Sequence, residues 1–542
     1  MLPWLDNQRL LFHLLVVMNP IPLKSRRVLI PAQLVTLAIL LGHIDLESPE
    51  LSIHADFLVR IIFDVLAMFM QNCIAPQRPA FAHVQRLLDR PRATELGFFL
   101  ARIFQFRETF LFSFGDHTFN SLRKTGLAQE MHEADDMKIE PYVGEFLKNR
   151  FKNAPLRIVL WNGRQIELTK NPTLTLSLTT PSAVRYLLRP SFRSLGEAYI
   201  EGKIHVEGSP SEILKILEET REKTAMTSPL AKWTRKIRPR PHSRRADEKA
   251  IRFHYDVSND FYRLWLDQNM IYSCAYFKDG EDDLDRAQEQ KLDHICRKLM
   301  LKPGERFLDI GCGWGGLIRW AAKNYGVKAT GITLSENQYD YARDWIREEK
   351  LEDHCEVLLC DYRDLKEKDH FDKISSVGMF EHVGIANYPI YFGNIHRLLK
   401  EGGLILNHGI CSSSLDLDLV PGDGGEFMDR YVFPGQELPH VSRVTSEISR
   451  QKMEVTDVES LRPHYAKTLR HWLARLEKNQ AKIEAIVGDR RYRIWRAYLM
   501  GTAHAFDRGW ISIYQVLAVK HSDHEPWGNW RLPWTRSHIY KE

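Results

Sequence analysis

The sequence predicts an α/β protein whose main domain has a doubly wound, parallel sheet. Two observations lead to this fold class. Short β-rich runs alternate with helical patterns from about Phe253 to Lys520, and the first run ends in a glycine-rich turn that opens a helix. The predicted strands are Arg306–Ile310, Lys328–Ile332, Cys355–Leu359, Lys373–Val377 and Gly403–His408. Helical patterns such as Glu336–Lys350 and Tyr388–Leu399 separate them.

A small α+β domain is predicted before this part, over residues 138–220. Leu156–Trp161 and Gln165–Leu168 flank the turn Asn162-Gly163, which is the pattern of a β-hairpin. Thr173–Thr179 alternates Leu with Thr or Ser, which predicts a half-buried strand. The remaining elements predicted there are a helical turn with a loop over Arg193–Glu207 and a helix over Ser211–Glu218.

The first 130 residues carry no motif and no clear hydrophobic periodicity. They are either a helical accessory region or an extension from a mis-assigned start, with translation beginning at Met131 or Met137. The apolar stretches Val28–Leu41 and Phe57–Met70 are interrupted and shorter than a bilayer span, which favours buried helices. We find no signal-peptide pattern at the N-terminus and no functional signal in the tail, residues 521–542.

Composition excludes several classes of protein. The formal net charge of the 542 residues is only +5, so the chain is not a globally basic nucleic-acid binder. The seven cysteines form no CxxC pair and no cluster at zinc spacing, so we predict neither a disulfide framework nor a metal site. Such cysteine usage favours a reducing, cytoplasmic compartment.

Residues 221–252 form a basic segment between the two predicted domains. It holds eleven Lys or Arg against three acidic residues, and its three prolines oppose regular structure. One interpretation is a solvated linker. The other is a surface for anionic lipid, which would place the protein on the inner face of a membrane.

The strongest local motif is the glycine-rich turn inside Phe307–Gly316. Gly311 and Gly313, followed by Gly315, let the backbone pass close to a ligand. Dinucleotide-binding enzymes share such a turn. Asp309, directly before it, favours a ligand with an amino-acid ammonium group over a pyrophosphate.

This turn resembles the first motif of class I methyltransferases, whose ligand is S-adenosylmethionine. Those enzymes often hold the ribose with an acidic residue after the second strand, where this chain has Thr333, Ser335 and Gln338 instead. Tyr362 follows the third predicted strand and offers an aromatic face for the adenine. The alternative is that Tyr362 only covers the edge of the sheet.

Four further motifs match one family. They are His254–Asp260, Tyr272–Tyr276, Gly378–Gly384 and Tyr431–Gly435. Together with the glycine-rich turn they resemble the cyclopropane-fatty-acyl-phospholipid synthases and the related mycolic-acid methyltransferases, over roughly residues 252–520. The domain at 138–219 also looks like the small N-terminal lipid-binding domain of the bacterial synthases.

The resemblance implies two groups of site residues. Tyr272 and Ser273 would line the S-adenosylmethionine site with the glycine-rich turn, Thr333–Gln338 and Tyr362. A bicarbonate ion would be held beside the reacting carbon by Cys274, Glu381, His408, Tyr465 and the backbone of Ile410. Taken alone, Cys274 and His408 would each more often be ordinary core residues.

The resemblance also implies a reaction. Methyl transfer to the cis double bond of an unsaturated phospholipid acyl chain gives a carbocation, and bicarbonate-assisted loss of a proton closes a cyclopropane ring. Alternatives are a relative that forms a methylene or methyl branch, or a non-catalytic lipid-binding homologue. A nicotinamide-dependent oxidoreductase is disfavoured by Asp309 and the missing second-strand acid. A homodimer is compatible with the sequence.

The chain departs from the family at Thr502. Many members carry a cysteine at this place in the C-terminal helix, and this chain has Gly501-Thr-Ala-His504. A nucleophilic role for that cysteine therefore cannot apply here, and the chemistry above does not need one.

Overall fold

The computed structural model describes the following residues: 144–145, 147–149, 151, 154–188, 192–222, 258–280, 283–415, 422–433, 437–521 and 532–540. The N-terminal 130 residues, most of the basic segment and part of the tail lie outside the described residues. The same holds for His254–Val257 and for Pro434 and Gly435 of the family motifs. Every element below belongs to one compact unit, Leu127–Glu542.

A four-stranded sheet forms the small N-terminal domain of this unit. Its strands are β1 (Leu156–Val159), β2 (Gln165–Glu167), β3 (Leu174–Leu178) and β4 (Ile204–Glu207), in the order β2-β1-β3-β4. Its helices are α1 (Val184–Leu188), α2 (Phe192–Ile200) and α3 (Pro210–Glu222). The predicted hairpin is the antiparallel pair β1 and β2. The sequence missed β4, which lies where a loop was expected.

A seven-stranded sheet forms the core of the larger domain. Its strands are β5 (Arg306–Ile310), β6 (Lys328–Thr333), β7 (Cys355–Leu359), β8 (Phe371–Val377), β9 (Leu399–Ser412), β10 (Met453–Ser460) and β11 (Ile511–Lys520). Their spatial order is β10-β11-β9-β8-β5-β6-β7. The predicted doubly wound α/β class is confirmed. The sheet is not wholly parallel, however, because β11 runs antiparallel to both β9 and β10.

Helices cover both faces of this sheet. They are α4 (Asn259–Arg263), α5 (Leu284–Lys298), α6 (Gly316–Tyr325), α7 (Glu336–Glu348), α8 (Tyr388–Leu398), α9 (Gly422–Tyr431), α10 (Val441–Arg450), α11 (Arg462–Lys478), α12 (Gln480–Val487), α13 (Asp489–Asp507) and α14 (Ser537–Tyr540). Helices α5, α6 and α7 bury apolar side chains against one face, and α8 and α10 against the other. Among the described helices, none is long and apolar enough to cross a membrane.

A third apolar cluster packs α4 against α11 and α13. Its centre is aromatic: Phe261, Tyr262 and Trp265 of the α4 region are fully buried. Trp265 packs edge-on against Trp472, with ring centroids 5.7 Å apart. Such aromatic packing adds to the gain from burying their large apolar area, so it fixes the segment that follows α4. That segment, residues 271–275, enters the site described next.

Candidate active site

The turn between β5 and α6 has the backbone that its glycines predict. Gly311 and Gly313 have φ of +83° and +56°, in the left-handed region that favours glycine. A Cβ on Gly311 would lie 2.9 Å from Met379 Cγ, so a side chain would not fit there. The motif His254–Asp260 contacts the same turn: Trp314 Nε1 donates a hydrogen bond to Asn259 Oδ1 at 2.8 Å, which helps to hold the turn in place.

A cleft of about 1140 Å³, measured with its open mouth, lies at this turn. It is large enough for a nucleoside-sized ligand. The structure brings the following predicted cofactor residues to its wall: Tyr272, Ser273, Asp309, Gly311, Gly313, Thr333, Gln338 and Tyr362. Gly315, also predicted to bind the cofactor, is not among the residues that line the cleft. It has φ +83° and lies before α6, where a Cβ would come within 3.1 Å of Ala342 Cβ, so it is a packing glycine.

The predicted ribose-binding residues interact with one another. Thr333 Oγ1 donates to Gln338 Oε1 at 2.9 Å, and Ser335 caps α7 by accepting a hydrogen bond from Gln338 N. The polar contacts fix the orientation of the Gln338 side chain at the cleft wall. Hydroxyl and amide groups therefore stand where related enzymes often place a carboxylate.

Asp309 and Tyr362 occupy two other parts of the cleft wall. Asp309 is buried and accepts a hydrogen bond from Ser375 Oγ at 2.6 Å. Burial raises the pKa of its carboxyl to about 6. The Tyr362 ring packs edge-on against Tyr391, with centroids 5.4 Å apart. It is buried, and it lies beside Asp361, which pairs with Arg363 at 2.6 Å.

Glu381 lies in a single 3-10 turn, Phe380–His382, after β8. Its Oε1 accepts a hydrogen bond from Ile410 N at 2.7 Å, whereas its buried Oε2 has no hydrogen-bond partner among the described residues. Burial raises the pKa of this carboxyl to about 7, and the Ile410 N–H offsets part of that rise. Ile410 was predicted to hold the bicarbonate ion through its backbone. In the structure its N–H donates to Glu381 Oε1, so this donor is used within the protein.

His408 lies two residues before Ile410 on β9, so both side chains are on one face of the strand. Gln515 Nε2 lies 3.3 Å from His408 Nδ1. An amide N–H donating there would leave the imidazole proton on Nε2. His408 is fully buried, and Nε2 has no hydrogen-bond partner in the described part of the chain. Burial and the nearby Lys291 lower the pKa of His408 well below its usual value, so the ring is neutral.

Cys274 and Tyr465 meet at Leu461, just before α11. Cys274 Sγ lies 3.9 Å from Leu461 O, and Tyr465 N donates to the same carbonyl at 3.0 Å. Leu461 N in turn donates to Ile513 O, and Ile513 pairs with Ile410 across β11 and β9. Burial raises the pKa of the Cys274 thiol, which is therefore uncharged.

Sequence reasoning missed Lys291, which lines the cleft from α5 and is 2% exposed. A signal was present, because Leu284, Ala287, Lys291 and Ile295 share one face of the helix, and a charged residue interrupts an otherwise apolar face. Met379 and His382 also line the cleft. Within the described residues no group of His, Cys, Asp and Glu forms a candidate metal site.

The strand order, with its antiparallel β11, and the glycine turn at the carboxyl end of β5 define a class I S-adenosylmethionine-dependent methyltransferase, and the chain is an enzyme of that class. The solved structure of coclaurine N-methyltransferase has the same fold, with a TM-score of 0.50 and 22% identity over 60% of this chain and 99% of that one.

The family follows from comparison of sequences. The family model "Mycolic acid cyclopropane synthetase" matches residues 242–516, and the chain belongs to this family. A probable fatty acid methyltransferase of Pseudomonas putida is 47% identical over 388 residues, which are 71% of this chain and 96% of that protein. The cyclopropane-fatty-acyl-phospholipid synthase of Escherichia coli K12 is 42% identical over 264 residues, 49% of this chain and 66% of that protein. A domain of unknown function matches residues 142–228.

Proposed function

We propose that the enzyme adds one carbon from S-adenosylmethionine to the cis double bond of an unsaturated phospholipid acyl chain and closes a cyclopropane ring. The names of the Pseudomonas putida and Escherichia coli relatives support a fatty-acyl substrate. The observation that carries the ring-forming step is that Glu381 Oε2 and His408 Nε2 are fully buried and each lacks a hydrogen-bond partner in the described residues. Buried polar atoms are normally paired, and a small polar ligand is the partner that we propose for them.

The cleft fits S-adenosylmethionine. Gly311 and Gly313 leave room for the ligand beside the backbone, and a Cβ at Gly311 would narrow that room. Thr333 and Gln338 offer hydrogen bonds to the ribose, and Tyr362 offers a ring for the adenine. When bound, S-adenosylmethionine supplies an electrophilic methyl group.

Glu381 and His408 each offer one unpaired buried atom to a bicarbonate ion, which has oxygens that accept hydrogen bonds and one proton to donate. Glu381 Oε2 can accept that proton, and His408 Nε2–H can donate to an oxygen. Cys274 lies beside the start of α11, and Tyr465 is a residue of that helix. When bound, bicarbonate supplies a base that is not part of the protein.

The protonation states of these residues suit a reaction at an alkene. A thiolate or a charged imidazole near a developing carbocation would trap or repel it, and burial keeps Cys274 and His408 uncharged. Glu381, with a pKa of about 7, can take up a proton near neutral pH. Its Oε1 is fixed by Ile410 N, so the other oxygen is held in place to receive that proton.

The basic segment 221–252 has a role in this proposal. We place the enzyme at the cytoplasmic face of the membrane, where each Lys or Arg close to anionic lipid contributes about 1 kcal/mol. The segment lies largely outside the described residues, and its eleven Lys or Arg against three acidic residues support this role.

Lipid mass spectrometry tests the proposed reaction. The enzyme is incubated with S-adenosylmethionine and vesicles of cis-unsaturated phospholipid, and the acyl chains are then hydrogenated. A chain heavier by one CH₂ that takes up no hydrogen at that position contains a ring, as proposed. A product that takes up hydrogen and becomes a saturated branched chain would show that the enzyme forms a methylene branch and not a ring. Unchanged lipid with S-adenosylmethionine still bound would reject this substrate.

A further inference from the structure

Lys291 is a buried cation with unused hydrogen-bonding capacity. An ammonium group has three N–H donors. Lys291 Nζ donates to Ser273 Oγ at 3.0 Å, and no carboxylate oxygen of the described residues forms an ion pair with it. The side chain is 2% exposed and lines the cleft. Burying an ammonium in this way is costly unless a partner of opposite charge is supplied.

Another buried lysine on the same helix has its charge balanced by carboxylates, as is usual for a buried ammonium group. Lys298 lies two turns further along α5 and is fully buried. Its Nζ is 2.5 Å from Glu459 Oε2 and 3.1 Å from Asp457 Oδ2, so its charge is matched within the protein. Lys298 does not line the cleft, whereas Lys291 does.

The charges around Lys291 are arranged for a zwitterion. Asp267 and Asp309 both act on Lys291 electrostatically, Asp267 more strongly, and neither forms an ion pair with it. Asp267 accepts hydrogen bonds from Asn269 N and Ile271 N, whereas Asp309 lines the same cleft as Lys291. A buried anion and a buried cation on one cavity wall match the ammonium and carboxylate of an α-amino acid. Gln288 supports this part of the wall, because its Nε2 donates to Ser273 O at 3.0 Å.

We propose that Lys291, together with the Ser273 hydroxyl, binds the carboxylate of the cofactor's amino-acid moiety, while Asp309 meets its ammonium. This inference rests on the proposed place of S-adenosylmethionine in the cleft. It makes Lys291 a binding residue that selects ligands with a carboxylate. A lysine that only balanced Asp309 and Asp267 would show no such selectivity.

A pair of ligands separates these roles. S-adenosylhomocysteine and its decarboxylated analogue, 5′-deoxy-5′-(3-aminopropylthio)adenosine, differ only in the carboxylate. Isothermal titration should show that the enzyme binds the first about 10- to 150-fold more tightly, which is the value of a hydrogen bond to a charged group. In Lys291→Met the ratio of the two dissociation constants should fall below about 3, since the cation is gone. Lys291→Arg should keep a clear preference for the carboxylate.

Lys298→Met is the matched control, because it removes a buried lysine of the same helix that does not line the cleft, and its ratio should stay at the wild-type value. If Lys291→Met binds both ligands more weakly by the same factor, the ratio of their dissociation constants is unchanged. That result would overturn the proposal and make Lys291 a structural cation. If Lys291→Met does not fold, Lys291→Gln takes its place. Near-equal binding by the wild-type enzyme would overturn the proposal without any variant. Absence of S-adenosylhomocysteine binding would instead reject the cofactor cleft itself.

Discussion

At the scale of single residues, the site is defined by polar atoms that the protein buries without pairing. Leaving one buried polar atom unpaired costs about 1–3 kcal/mol. The structure has such atoms on both Glu381 and His408, beside the Ile410 backbone that holds one of them. A carboxylate oxygen and an imidazole N–H can each exchange a hydrogen bond with a small ion, and a bound ion is the reason we infer for their presence.

Replacing the Glu381 carboxylate separates binding from turnover. We expect Glu381→Gln to lower kcat by at least about 100-fold, because a positioned acid–base group contributes that much or more. Binding of S-adenosylhomocysteine should change little, because Glu381 does not line the cofactor cleft. Glu447→Gln is the control, since Glu447 is a buried carboxylate on α10 that pairs with Arg450. Normal turnover in Glu381→Gln would contradict the assignment of the base site.

The pH dependence follows from the same carboxyl. Burial raises the pKa of Glu381 to about 7, so the group is a carboxylate above this pH and a carboxylic acid below it. The protonated form cannot accept a further proton, and turnover should therefore fall as pH drops below about 7. Initial rates measured across this pH range at saturating S-adenosylmethionine would show the fall in turnover. A rate that stays constant from about pH 8 to pH 6 would contradict it.

At the scale of elements, close packing of β9 against the 3-10 turn positions Glu381. Gly409 lies between His408 and Ile410, and a Cβ there would come within 1.8 Å of Phe380 Cε1. The Phe380 ring therefore lies directly on the strand, and the neighbouring Glu381 reaches Ile410 N. A glycine is needed here for space, although its backbone is that of an ordinary strand.

Two glycine substitutions test this packing. Gly409→Ala forces Phe380 away, and overpacking of this kind costs about 1–3 kcal/mol. We expect a lower Tm and a loss of turnover as Glu381 shifts. Gly501→Ala is the matched change, because a Cβ there meets nothing within 4 Å and alanine favours the α13 helix by about 0.5–1 kcal/mol. An unchanged Tm and rate in Gly409→Ala would show that β9 and the turn are not coupled.

The sequence predicted the elements with strong periodicity and missed those without it. The five strands β5 to β9 lie where expected, although β9 extends from Leu399 to Ser412. β10 (Met453–Ser460) is mostly polar. β11 (Ile511–Lys520) is an apolar run after Gly509, whose φ is +68°, and this turn signal was not used in the prediction. Alternation of strands and helices cannot show the direction of a strand, so the antiparallel β11 could not be predicted.

The candidate site was predicted to different extents in its two parts. Most residues of the cleft lie in motifs that directly follow a predicted strand. The carboxyl ends of parallel strands meet at one edge of a sheet, so these motifs are expected to lie together. Motif positions were therefore enough to predict most of the cleft wall. The sequence places Lys291 on an apolar helix face but does not show whether it has an ionic partner. Only the packed structure shows that no described carboxylate forms an ion pair with it.

At the scale of the whole molecule, the small domain packs on the larger one through α2. Arg493 and Arg496 of α13 donate to the backbone and the hydroxyl of Tyr199, at 3.1 and 3.2 Å. Arg430 of α9 pairs with Glu197, and Phe427 lies against Gly196. These contacts hold the two domains together beside the aromatic cluster of α4 and α13. The basic segment 221–252 connects the same two domains in the sequence.

Vesicle binding tests the role proposed for that segment. Vesicles with anionic lipid should bind the enzyme more tightly than neutral vesicles, and added salt should weaken this binding because it screens the charges. Replacing Arg235, Lys236, Arg238 and Arg240 by Gln should remove much of the difference, at about 1 kcal/mol for each residue. The control replaces four exposed basic residues of the larger domain, Arg347, Lys350, Lys366 and Lys368. Salt-independent binding would show that the segment is only a linker.

The deuterium content of the lipid product tests whether the base site at Glu381 closes a ring. The enzyme is given S-adenosylmethionine with a fully deuterated methyl group and cis-unsaturated phospholipid vesicles. Ring closure requires the base site at Glu381 to remove one deuteron from the transferred carbon, so we expect a hydrogenation-resistant product that has lost one deuteron. A product that keeps every deuteron of the methyl group would contradict ring closure by this site, because nothing would have been removed from that carbon.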